Sequence, residues 1–147
     1  MAEPAERRWT VEEFLAWDDG TERRYELVDG RIVAMAPPSE AHAAIVSNLT
    51  IRIGNQLQAP CRVLSEFGVR LPGRNDSFYQ FDLAVTCAPA DPARRYVADP
   101  ELIVEVLAPS TALHDRGRKL DHFSWSPARS AGCSTGVVTA AAGWSTT

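Results

Sequence analysis

At 147 residues, 45% of them hydrophobic, the chain has the length of one domain and the composition of a soluble globular protein. No run approaches the roughly 18 apolar residues of a membrane span, and the opening "MAEPAERR" has no apolar signal core, so a cytoplasmic protein with no membrane partner is expected. The formal net charge of −4 argues against a protein that coats nucleic acid non-specifically, though not against a local basic groove.

Residues 9–17, "WTVEEFLAW", predict a short helix in which Thr10 and Glu13 form a capping box and Phe14, Leu15 and Trp17 give an apolar side. "RYELVDGRIVAM", 24–35, predicts a hairpin whose β-rich arms flank the favoured turn pair Asp29-Gly30. "PPS", 37–39, breaks the pattern. Residues 40–58 predict an amphipathic helix. Ile45, Leu49, Ile53 and Leu57 recur every four positions, Val46 widens the stripe, and Ser39 is a suitable N-cap. Gly54 weakens its far end.

"CRVLSEFGVRLP", 61–72, and "FYQFDLAVTCA", 78–88, are both strand-like and are separated by the turn-rich "GRNDS". "PADPARRYVADP", 89–100, with three prolines, reads as a loop. "LIVEVL", 102–107, is a short Val- and Ile-rich run between Pro100 and Pro109, the pattern of a buried strand. Ser110 and Thr111 can cap a last helix through roughly Phe123. The order predicts a mixed α/β (α+β) domain, one sheet against two helices, over residues 1–123.

Residues 124–147 differ. They hold one charged residue, Arg129, against 33 in the preceding 123. This small, polar segment reads as a disordered tail, in which only "GVVTAAA" has the makings of a short strand or helix. An abrupt change of composition at Ser124 is what a reading-frame shift in a GC-rich gene produces. Cys61, Cys87 and Cys133 are odd in number and share no metal-ligand spacing, which predicts free thiols in a reducing cytosol.

The chemistry-bearing pattern is acidic residues inside apolar strands: Asp82 in "FDLAV" and Glu105 in "LIVEV". A buried carboxylate is costly unless its charge is compensated. If the two strands are neighbours, the two acids converge, and a divalent metal resolves their repulsion because hard Mg²⁺ prefers carboxylate oxygen. For Glu105 the alternative is an ion pair with Arg62 or Arg70; for Asp82 it is a strand-end or loop contact. The fifteen basic residues comprise fourteen arginines and Lys119 alone. A lone lysine in an arginine-biased chain suits chemistry, since lysine is a compact charge able to lose its proton. Its alternative is an ordinary helix contact with Asp115 four positions earlier. An Asp, a strand Glu and a Lys around Mg²⁺ suit phosphodiester hydrolysis. His42, His114 and His122 complete no recognisable zinc set, and neither a glycine-rich phosphate loop nor a serine elbow occurs.

"YELVDGRIVAMAPPSEAHAAIVSNL", "FDLAV" and "PELIVEVLAPSTALHDRGRKLDHF" together resemble the small bacterial restriction-endonuclease family once catalogued only as a domain of unknown function, within the PD-(D/E)XK nuclease superfamily. The resemblance spans roughly residues 9–123. It implies a restriction-endonuclease-like mixed sheet flanked by helices, DNA as substrate, and Mg²⁺ or Mn²⁺ held by Asp82 and Glu105. The superfamily's usual lysine position, two after the Glu, is Leu107 here. The family's pattern transfers that role to Lys119 on the next helix. Glu26 and His42 match accessory positions. Three departures stand out: Phe81 where the "PD" proline would be, Ala108 for the usual Ser, and the charge-poor segment after "KLDHF" in place of further strands.

Two functions follow as expectations. The first is a metal-dependent DNA endonuclease with Asp82, Glu105 and Lys119 as catalytic residues, for which double-strand cleavage favours a homodimer. The second is a catalytically inactive, truncated nuclease-fold module that binds or assembles.

Overall fold

The structure is a computed structural model describing residues 7–71, 73–107 and 136–141. Seven strands form one mixed sheet: β1 (Tyr25–Val28), β2 (Arg31–Ala34), β3 (Arg62–Arg70), β4 (Phe78–Thr86), β5 (Tyr96–Val97), β6 (Pro100–Leu107) and β7 (Gly136–Ala141). The described helices are α1 (Val11–Ala16) and α2 (Glu40–Gly54). Among the described residues no helix is long and apolar enough to cross a membrane.

Local chemistry accounts for most element ends. Thr10 caps α1 through the expected capping box, its hydroxyl accepting from Glu13 N while the Glu13 carboxylate accepts from Thr10 N. The helix is shorter than the 9–17 expected, because the chain turns extended again at Trp17. The β1–β2 hairpin closes on Asp29 and Gly30, with φ of 49° and 78°, the left-handed pair that a two-residue turn demands. This turn is clamped from outside: Gly30 N donates to Asp76 O, Trp9 N to Gly30 O, and Arg74 bridges Asp29 and Asp76.

Ser39 caps α2 as expected. The helix stops at Gly54 rather than at 58, and beyond it Gln56 and Leu57 close tighter turns. Its half-buried positions, Ala41, His42, Ile45, Val46, Leu49, Thr50 and Ile53, repeat at helical spacing along the expected stripe.

β4 is the central strand. It pairs antiparallel with β3 along its length, from Arg70 opposite Phe78 to Arg62 opposite Thr86. Its other edge is shared. β1 meets it at Leu27 opposite Phe78, and β6 takes over from Leu83 opposite Val104. The sheet therefore forks along β4. β5 is a two-residue parallel strand beside β3, inside the stretch expected to be wholly loop. Two apolar clusters hold the layers together. One gathers Val69, Leu71, Tyr79, Phe81 and Ile103; the other gathers Val11, Phe14, Leu27 and Phe78 under α1.

Cys61 and Cys87 form a disulfide, which corrects the expectation of free thiols for this pair. The register explains it: Arg62 faces Thr86, so one step further Cys61 faces Cys87. Cys133 lies outside the described residues, as does the helix expected after Ser110. Within 124–147 the described residues are Gly136–Ala141, which run parallel to β6 as β7. This is the stretch marked in the sequence as able to form a strand. The remainder, and the boundary at residue 123, lie outside the described residues.

Candidate functional site

The fork in the sheet leaves the middle of β4 without a regular main-chain partner on one edge. Buried N–H groups around the fork still need acceptors, and two carboxylates supply them, one to Gln80 of β4 and one to Val106 of β6. Glu26 Oε1, on buried β1, accepts from Gln80 N at 2.9 Å. Asp82 Oδ2 accepts from Val106 N at 2.6 Å. The contact is to a strand residue of β6, not the strand-end or loop contact weighed as the alternative for Asp82.

The register carries the next step. Leu102, Ile103 and Val104 face Val85, Ala84 and Leu83 in turn. Continued by one residue, the same register sets Glu105 opposite Asp82. Residues opposed in an antiparallel pair project to the same face of the sheet. Asp82 and Glu105 thus share a face at neighbouring strands, and Oε2 of Glu105 is shielded from solvent. The two arginines weighed as partners for Glu105 place their charge elsewhere. Arg62 donates to the carbonyl of Ala88, and Arg70 pairs with Glu12.

The helices frame that face. By strand alternation Phe78, Gln80, Asp82 and Ala84 point the same way. Phe14 of α1 packs on Phe78, ring centroids 5.6 Å apart, and Glu12 of α1 takes Arg70, the register mate of Phe78. Toward the other end, His42 of α2 sets its Nε2 3.1 Å from Asp82 Oδ1. Gln80 and Asp82 therefore lie between the two helices. Arg24, just before β1, reaches Glu66 of β3 at 3.3 Å on the same stretch of sheet. Next to Gln80, Tyr79 is pushed above the ordinary phenol range, first by burial and then by the charges of Asp29 and Glu26.

Of the residues expected at the site, Asp82, Glu105, His42 and Glu26 cluster around the fork. Lys119 lies outside the described residues, as does its alternative partner Asp115. Glu66 and Arg24 escaped sequence reading. Both look like ordinary polar positions of a strand and a loop, and only the non-local register brings them near Asp82.

Among the described residues no three His, Cys, Asp or Glu side chains form a group able by itself to enclose a metal ion. That donor set still suits magnesium, which keeps several waters and is commonly held by one or two carboxylates together with substrate phosphates. Asp82 and Glu105 are hard oxygen donors of that kind. Val106 N already donates to Asp82 Oδ2 and His42 Nε2 lies against Oδ1, but a carboxylate offers about four lone-pair directions, so its oxygens retain capacity for a cation.

Comparison with known proteins gives the fold and the family. A crystal structure described as a putative nuclease belonging to DUF820, from Anabaena variabilis, superposes with a TM-score of 0.59 at 22% identity, over 77% of this chain and 66% of that one. The likeness establishes the shared fold. An uncharacterized protein of Synechocystis sp. (strain ATCC 27184 / PCC 6803 / Kazusa) is 32% identical over 118 residues, 79% of this chain. The alignment spans 62% of that relative's length. Residues 11–132 match the family Uma2, described as "Putative restriction endonuclease", and the chain belongs to that family.

Proposed function

We propose that the chain is a metal-dependent DNA endonuclease that hydrolyses phosphodiester bonds at the fork of its sheet. The observation that carries this reading is the β4–β6 register, which, carried one residue past its last pair Leu83–Val104, sets Glu105 opposite Asp82, with His42 against Asp82. Family membership supports a nuclease and DNA as its substrate.

Asp82 and Glu105 would hold Mg²⁺ or Mn²⁺. The ion supplies positive charge that acidifies an attacking water and offsets charge building on the phosphoryl oxygens. The protein's own groups do the rest. His42 and the Val106 N–H fix the Asp82 carboxylate in one orientation, so that little reorganisation accompanies catalysis. Glu26 ties β1 to β4 at Gln80 and sets the opening of the fork. Lys119, outside the described residues, would orient the water or neutralise the pentavalent oxygens. One such site cuts one strand, so double-strand cleavage takes two copies. A cytoplasmic setting, where DNA is met, goes with this reading.

The test is nicking of a supercoiled plasmid in Mg²⁺ or Mn²⁺. Wild type should relax it, and Asp82→Ala and Glu105→Ala should not. Equal activity in wild type and variants would refute the assignment.

A second reading is favoured by one observation: both oxygens of Asp82 lie against protein nitrogens, His42 Nε2 and Val106 N. This is what a structural carboxylate needs in a scaffold that binds or assembles without catalysis. Such a scaffold need take up no divalent ion, and calorimetry separates the two.

A further inference from the structure

β1 and β3 lie on opposite edges of β4, yet Arg24, the residue before β1, has its Nη1 3.3 Å from Oε2 of Glu66 in β3. The arginine side chain therefore passes over β4. It does so at the level of the candidate site. Ser65 faces Leu83 and Phe67 faces Phe81, so the position between them, Glu66, is the register mate of Asp82.

That pair is missing from the ladder, and Glu66 has a φ of 53° in mid-strand. A left-handed backbone is unfavourable for a long side chain, and such outliers concentrate where surrounding structure enforces them for function. Extrapolated register would line up Glu66, Asp82 and Glu105, and at the distorted position the Glu66 carboxylate meets an arginine.

The ion pair itself is weak. Its side chains are 34% and 56% exposed, and solvent screens such contacts. A guanidinium binds carboxylate and phosphate with the same planar fork of N–H donors. A chain of net charge −4 also needs local cations wherever it meets a polyanion. Three other described arginines have partners of their own: Arg74 has Asp29 and Asp76, Arg70 has Glu12, and Arg62 has the Ala88 carbonyl.

We infer that Arg24 binds a phosphate of duplex DNA beside Asp82, and that Glu66 holds the guanidinium across β4 until that phosphate displaces it. The inference rests on the nuclease reading and adds a substrate-gripping residue to it.

The experiment is fluorescence anisotropy of a short labelled DNA duplex in EDTA across a salt series, with nicking and thermal melting measured on the same proteins. Arg24→Gln should weaken binding about tenfold and lower the salt slope by about one unit. Arg24→Lys should recover part of that loss. Glu66→Gln should tighten binding about threefold, since it frees the guanidinium and removes a negative charge. Glu66→Gly, which suits a positive φ, should do the same without loss of fold. Opposite shifts at the two partners support the inference. A purely structural ion pair moves both variants in the same direction, and that result, or unchanged binding in Arg24→Gln, overturns it. If wild type nicks DNA while Arg24 variants bind normally, the inference fails and the nuclease reading stands. If the opposite shifts occur without nicking by wild type, the nuclease reading fails and phosphate binding at Arg24 stands.

Discussion

His42 Nε2 lies 3.1 Å from Asp82 Oδ1, so a side chain of α2 is seated on the carboxylate of the central strand. On the proposed metal-dependent reading His42 stands one step removed from the metal, and deleting such partners typically changes affinity or activity about 10- to 100-fold. His42→Ala should reduce nicking by that order, mainly in kcat. His42→Gln, whose side-chain amide can donate to Asp82, should restore part of the rate. Loss that merely tracks a lower Tm, with no rescue by Gln, would contradict a positioning role.

Gly68 allows β3 and β4 to close over an aromatic ring. A Cβ at this position would fall 2.0 Å from Cζ of Phe78. Phe78 also packs on Phe14 and Leu27, so it has little room to retreat. Gly68→Ala should destabilise the fold by about 2 kcal/mol through overpacking, read as a lower urea midpoint at unchanged slope.

Arg74 ties the hairpin turn to the loop before β4, and its effect depends on pH. The Asp76 carboxyl is held below its ordinary range, first by the hydrogen bond from Arg74, with burial opposing. A depressed folded value gives stability that is present above the unfolded value, about 3.9, and is lost as pH falls through the folded one. Arg74→Gln should therefore be less stable than wild type at pH 7, with the gap closing below about pH 4. The side chains are 36% and 48% exposed, so screening keeps the effect small. Urea midpoints measured from pH 7 to pH 3 check the sign.

The Cys61–Cys87 bond closes a separation of 26 residues across the ends of β3 and β4. Loop-closure entropy sets its contribution at about 3 kcal/mol. Cys61→Ser with Cys87→Ser should lower the melting point accordingly, and wild type should lose the same margin in strong reductant. Matching melting curves for oxidised and reduced wild type would remove the bond from the stability of the fold.

Much of the architecture was legible because it is written locally. Thr10 with Glu13, Asp29-Gly30 and the Ile45–Leu49–Ile53 stripe each specify an element through contacts a few residues apart. Asp82 and Glu105 stood out because carboxylates inside apolar strands demand a partner. What escaped was set by pairing between distant segments. The fork along β4, the short β5 among prolines, and the meeting of Cys61 with Cys87 all follow from strand register, which no local pattern reveals. The same holds for Arg24 and Glu66, whose contact spans a strand belonging to neither.

Sharing of one ion between Asp82 and Glu105 is tested most directly by calorimetric titration of Mn²⁺ or Mg²⁺ into wild type, Asp82→Asn and Glu105→Gln. Wild type should bind the ion, and each variant, having lost one anionic ligand of the same shape, should bind it about tenfold more weakly or worse. No uptake by wild type, or equal uptake by all three proteins, would contradict a metal centre at the fork.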